Sequence, residues 1–290
     1  MNVRTPDGRD LDVWLAGPPD GTPFLFHSGT PGNGMPYSWH VDRLAERGLR
    51  YVSITRPGYG GSTRLAGRSV ADVVDDVRTV FDHLGIDRAY VGGWSGGGPH
   101  AMATAALLPD RVRGTVTIAG VAPYPAEGID WLDGMGEENV AEFGATLEGG
   151  EALRRIVERD VAAMATVTPA GVAAAFGDLI DEVDRGALDS PDLATYMADL
   201  LHEAFRVGYW GWFDDDVAFV QPWGFDLVAI PGKVHIWQGA HDRMVPFAHG
   251  GWLAAHCGGA CIHLAPAQGH LSLARDRFGD ILDELIATSA

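Results

Sequence analysis

Up to about residue 120, short runs of β-branched and apolar residues alternate with longer stretches of helical periodicity. That alternation predicts a β–α–β chain folding into a mostly parallel sheet. Residues 3–5 and 11–15 flank Pro6-Asp7-Gly8-Arg9, and Asp-Gly suits the positive backbone angles of a tight turn, so the pair predicts a hairpin. Further strands are predicted at 24–26, 51–54, 88–91 and 112–118, with helices at 40–47, 70–84 and from Ser95 through Leu107. In the second helix Val70, Val73, Val74, Val77, Val80, Phe81 and Leu84 recur at three- and four-residue intervals, building one apolar face, while Asp72, Asp75, Asp76 and Arg78 occupy the other.

The pattern changes after Pro123. Residues 124–226 contain no convincing strand, only helix-like segments at 151–164, 170–183 and 192–207, the last opened by Ser190-Pro191 as cap and first turn. Strands return at 233–238 and 260–264, with helices at 246–256 and 271–287. The expected fold class is α/β: a mostly parallel central sheet flanked by helices, formed by residues 1–123 and 227–290, with residues 124–226 inserted as an all-helical cap.

Composition sharpens this picture. The 290 residues, 46% hydrophobic, suffice for a full core. A net charge of −18 opposes nonspecific binding to nucleic acid or an anionic membrane. Residues 124–226 carry 22 Asp and Glu against 5 Arg, so the helical segment holds nearly all the excess acidity. Most of these carboxylates are expected on solvated outer faces. Any share facing an entrance would favour neutral or cationic small molecules over anionic ones. The first residues lack the apolar region of a secretion signal, and no apolar run approaches the roughly 18 residues of a bilayer span, so a soluble, cytoplasmic protein is expected. Cys257 and Cys261 read as two unrelated thiols, and no spaced ligand set points to a metal.

Gly93-Trp94-Ser95-Gly96-Gly97 is the only Gly-x-Ser-x-Gly in the chain, and it stands between a predicted strand and a helix of small residues. A serine on a sharp strand-to-helix turn needs small residues two before and two after it. Ala101, Ala103, Ala105 and Ala106 let the following helix approach the sheet, and its N-terminus directs partial positive charge at an oxyanion formed on Ser95. A nucleophilic serine needs a base, and the base an acid that fixes its tautomer. Asp242 and His270 each follow a predicted strand's C-terminal end, the edge where open α/β sheets place ligands. His100, His202, His241, His256 and His263 lack that placement and read as packing, loop or surface residues.

With Ser95, Asp242 and His270 in that order, the chain resembles the α/β-hydrolase superfamily, of the cap-bearing kind, over nearly its whole length. The resemblance implies Ser95 as nucleophile, His270 as base and Asp242 as orienting acid. The family's His-Gly-x-Pro loop matches Ser28-Gly29-Thr30-Pro31, so the backbone N–H groups of Thr30 and Gly96 would hold the oxyanion. A second family run, Asp-x-x-Gly-x-Gly-x-Ser, matches residues 55–62 with Thr55 in place of the Asp. Trp94, Met35, Tyr37, Trp210 and Trp212 are pocket candidates. The activity implied is a cofactor-free serine hydrolase cleaving an ester, lactone or related acyl compound through an acyl-enzyme. Two alternatives stand beside it: a proline-type aminopeptidase whose Glu137, Glu138 or Glu142 holds the substrate amine, and a non-catalytic ligand-binding receptor. Epoxide or haloalkane cleavage is disfavoured, because relatives with that chemistry use an aspartate where Ser95 stands. Oligomeric state is not indicated.

Overall fold

The computed structural model describes residues 1–289. Eight strands form one sheet in the order β1-β2-β4-β3-β5-β6-β7-β8. They are β1 Asn2–Arg4, β2 Asp10–Ala16, β3 Thr22–His27, β4 Leu49–Ile54, β5 Ala89–Trp94, β6 Val112–Ile118, β7 Val234–Gly239 and β8 Ala260–Ala265. β2 pairs antiparallel with β1, as the hairpin reading requires, and with β4; β3 through β8 run parallel. Parallel strands need crossovers, so helices cover both faces. They are α1 Ser38–Ala45, α2 Val73–Leu84, α3 Gly97–Leu107, α10 Phe247–His256, α11 His270–Asp276 and α12 Phe278–Thr288. One apolar cluster joins α2 and α10 to one side of the sheet, through Val77, Phe81 and Leu253 against Leu25, Val91 and Ile236. A second joins α1 and α12 to the other, through Leu44, Phe278 and Leu282 against Phe24, Tyr51 and Val116.

Between β6 and β7 the regular elements among the described residues are all helical, with α4 Glu137–Glu148, α5 Gly150–Met164, α6 Val172–Ala175, α7 Glu182–Leu188, α8 Pro191–Ala204 and α9 Trp210–Phe219. Leu153, Val157, Leu193, Met197, Leu201 and Trp212 from this segment continue the second cluster. Three expectations about helix boundaries change. The helix predicted at 70–84 starts at Val73: before it Val74 N–H closes a tighter turn onto Ala71 O, and Ala71 N–H donates to Trp223 O. The helix predicted at 170–183 is broken: Gly177 adopts a positive φ of 52°, and Asp181 caps a new start by accepting from Val183 N and Asp184 N. The helix predicted at 271–287 divides at Arg277.

No described helix is long and apolar enough to cross a membrane. Cys257 and Cys261 are unpaired, the former buried.

Candidate active site

β5 delivers Ser95 to the C-terminal edge of the sheet in a left-handed conformation, φ 55°, which only a constrained turn holds in a non-glycine residue. Its N–H donates to Ile118 O at 2.8 Å, tying the turn to β6. A Cβ at Gly93 would strike the Gly97 carbonyl, and one at Gly97 would strike the His27 backbone, so both flanking glycines are sterically required. α3 begins immediately after the turn.

β7 and β8 bring the other two residues to the same edge. His270 Nδ1–H donates to Asp242 Oδ2 at 2.8 Å, with His270 1% and Asp242 5% exposed. Asp242 is itself held: Oδ1 accepts from Met244 N (2.9 Å) and Val245 N (2.8 Å), and Oδ2 from Gln238 Nε2 (3.1 Å). Nδ1 being the donor leaves the Nε2 lone pair of neutral His270 as the basic atom. Burial pushes the His270 pKa down, but the charges of Asp242 and Asp184 outweigh it and hold the pKa above the usual histidine value. Ser95 and His270 line one cavity of about 230 Å³. Among the described residues Ser95 Oγ makes no hydrogen bond, and the His270 ring bonds only Asp242.

Asp184, from α7, was not foreseen. It is fully buried, and its carboxylate accepts from the backbone N–H groups of His270 (2.7 Å), Leu271 (3.1 Å) and Ser272 (2.9 Å), capping α11 from a different part of the chain. A Cβ at Gly269 would collide with that carboxylate. The helical segment thereby touches the backbone of His270 directly. Local sequence carries no signal of it, because the capping residue lies 86 positions upstream.

The loop after β3 is fixed by a second buried group. Arg56 donates to Ser28 O (2.6 Å), Gly29 O (2.8 Å) and Thr30 Oγ1 (2.9 Å) and pairs with Asp215 at 2.6 Å. Asp215 also meets Arg68 (2.6 Å), Tyr59 Oη (2.9 Å) and Thr30 Oγ1 (2.7 Å). Burial would raise the Asp215 pKa, but Arg56 and Arg68 hold it well below the usual carboxylate range. Arg56 lies in the run whose family Asp is Thr55 here, and α9 returns an acid to that neighbourhood as Asp215. Thr30 and Gly96 both line the cavity, their side-chain positions in close approach.

Of the pocket candidates, Trp94 and Trp212 line the cavity, and Trp94 packs on His270 with ring centroids 5.3 Å apart. Trp210, Met35 and Tyr37 do not. On α9 the cavity face is Trp212, Asp216 and Phe219; Trp210, two positions from Trp212, points to the opposite side and stacks under Arg64 at 3.6 Å. Tyr37 is covered by α8, donating to Asp192 Oδ2 (2.6 Å) and stacking on Tyr196. The Met35 carbonyl accepts from Tyr196 Oη at 3.2 Å under the same helix. None of the other five weighed histidines lines the cavity; His100 is wholly buried, its pKa lowered to about 4 by burial.

Away from the cavity, His235, His263 and Glu284 offer ligand atoms within 4.8 Å of one another. Spacing along the chain does not reveal this set, because β7, β8 and α12 each contribute one member. His235 Nδ1 faces His263 Nε2 (3.1 Å) and its Nε2 faces Thr288 Oγ1 (2.7 Å).

The sequence profile described as alpha/beta hydrolase fold matches residues 22–273. Over 127 residues the chain is 33% identical to Epoxide hydrolase B of Mycobacterium tuberculosis, covering 40% of this chain and 35% of that protein. Over 138 residues it is 32% identical to a bifunctional esterase/perhydrolase of Acinetobacter calcoaceticus, 47% of this chain and 50% of the relative. The chain thus spans about a third to a half of the length of these curated relatives. Its backbone matches the crystal structure of a bromoperoxidase from Bacillus anthracis with a TM-score of 0.75 over 99% of both chains, at 20% identity, which is a likeness of fold. A strand-to-helix serine turn on a sheet of this order, with a sequence match over most of its length, establishes that the chain belongs to the alpha/beta hydrolase fold family.

Proposed function

We propose that this hydrolase is a serine enzyme cleaving an ester, lactone or related acyl compound through an acyl-enzyme, without cofactor. The observation that carries the reading is Ser95, held at φ 55° on the wall of a cavity it shares with a histidine whose Nδ1 is bound by a buried aspartate. Ser95 Oγ attacks the acyl carbon while His270 Nε2 takes its proton and returns it to the leaving group. Asp242 keeps the tautomer and stabilises the imidazolium. The N–H groups of Thr30 and Gly96 receive the oxyanion, the first held in place by Arg56 through its neighbours. Residues 124–226 are the cap over this site, and the substrate is a small molecule.

A fluorophosphonate probe, which traps activated serines, tests the reading. Labelling of wild-type protein at Ser95 by mass spectrometry is the expected result. Absence of labelling in protein that is folded by circular dichroism overturns it.

Acid pH gives an independent check. His270 must be neutral to act as base, so kcat/KM is expected to fall as pH drops through an apparent pKa above the usual 6.5. A profile flat from pH 8 to 5, with chemistry rate-limiting, contradicts the assignment. Asp184→Asn removes a negative charge that favours protonated His270, so the acid limb of the variant should move to lower pH. The same change weakens the cap of α11, at a cost of about 1 kcal/mol in thermal or urea melts.

A further inference from the structure

α9 carries three consecutive acids, and their environments diverge. Asp214 pairs with Arg64 at 2.7 Å, and Asp215 sits between Arg56 and Arg68. Asp216, 0% exposed, lines the cavity, and neither of its carboxylate oxygens receives a hydrogen bond from a protein donor among the described residues. Glu142 of α4 lies on the same cavity wall, close enough for its charge to act on Asp216. Glu142 also lines the cavity, with Oε1 accepting from Trp212 Nε1 at 2.7 Å. Trp212 and Asp216 are four residues apart on α9, so one helix face presents both the acid and the indole that aims its partner.

Two neighbouring carboxyls, Asp216 buried and Glu142 half-buried, are costly unless a proton or cation lies between them. Burial, followed by the Glu142 charge, raises the Asp216 pKa well above the usual carboxylate range. No guanidinium serves the pair. Arg159 lines the same cavity but is bonded to Asp160 at 2.6 and 2.8 Å, and Arg68, whose charge reaches Asp216, is bonded to Asp215. The remaining charged lining, Glu138 and Asp160 against Arg159, adds to the negative side.

We propose that Glu142 and Asp216 form an anionic subsite of the catalytic cavity, which takes an ammonium group carried by the substrate at a distance from its scissile acyl bond. The ammonium N–H groups donate to the two carboxyl groups while the rest of the substrate lies on the apolar wall formed by Phe143, Phe176, Met197 and Phe219. This inference rests on the serine acyl-transfer reading and names its substrate class: amine-bearing esters or lactones.

The p-nitrophenyl esters of 6-aminohexanoate and heptanoate match in length and differ in charge, and 6-aminohexyl and heptyl butyrate make the same comparison on the alcohol side. Wild-type enzyme is expected to favour the cationic member of at least one pair by about tenfold or more in kcat/KM, carried by KM. Glu142→Gln and Asp216→Asn should each bring that ratio down toward one. n-Hexylamine and 1-hexanol, compared as competitive inhibitors of the wild type, decide the question without any variant: the amine should bind more tightly by a similar factor. Equal kcat/KM within both pairs, equal inhibition, or a preference that survives in both variants overturns the subsite. Fluorophosphonate labelling of Ser95 separates the failures. Labelling without charge discrimination defeats the subsite alone, whereas absence of labelling defeats the acyl-transfer reading beneath it.

Discussion

Ser95→Ala is expected to lower kcat toward a p-nitrophenyl ester by a factor on the order of 10³ or more, while circular dichroism and melting stay close to wild type. The size follows from what is removed. In the proposed mechanism Oγ forms the acyl-enzyme, and without it His270 has no nucleophile to deprotonate. On the same mechanism the residual rate would come from substrate binding and from the proposed oxyanion donors, the backbone N–H groups of Thr30 and Gly96, which the substitution leaves in place. The fold is spared because alanine keeps the Cβ. The residue therefore carries the same steric cost at φ 55°, and the Ser95 N–H still donates to Ile118 O. A Ser95→Ala protein turning over ester at the wild-type rate would sink the nucleophile assignment. A burst of p-nitrophenol in wild type that vanishes in the variant would support the covalent intermediate directly.

The second large effect is one of stability. Asp215→Ala should destabilise the protein by about 3–5 kcal/mol, because it strands Arg56 and Arg68, both essentially without solvent exposure, as uncompensated buried charges. At a few degrees per kcal/mol this is a fall in melting temperature on the order of 10 °C. Asp214→Ala, one residue away, is the control. Its partner Arg64 is partly exposed, so the expected cost is about 1 kcal/mol or less. Equal melting curves for the two variants would contradict the role assigned to Asp215. Activity should fall with stability in Asp215→Ala, since Arg56 holds the carbonyls of Ser28 and Gly29, and in the proposed mechanism the adjoining Thr30 N–H receives the oxyanion. Removing one such donor costs about 10²–10³ in kcat.

Asp215 also explains part of the chain's uneven charge. The excess acidity between residues 124 and 226 suggested solvated helix faces, yet three of the acids stand in a row on α9 with none exposed. Two of them meet arginines that follow β4 in the chain, so the segment's negative charge fastens it to the rest of the molecule. The third turns into the cavity.

Local periodicity and short motifs carried a great deal here. Alternating apolar runs placed all eight strands within a few residues. Val73, Val77 and Phe81 on one helix face announced their own burial, and Gly93 and Gly97 marked a serine turn because only the absence of a Cβ permits it. These features are legible because the constraint that selects each residue acts between near neighbours in the chain. The capping of His270 by Asp184, the arginine pair around Asp215 and the shared cavity wall of Glu142 and Asp216 join residues tens to more than a hundred positions apart. No repeat or spacing announces them. The choice between Trp210 and Trp212 was likewise open until packing decided which side of α9 meets the cavity. A helix turns 100° per residue, so identical side chains two positions apart face opposite ways, and only the tertiary contact says which of them a substrate can reach.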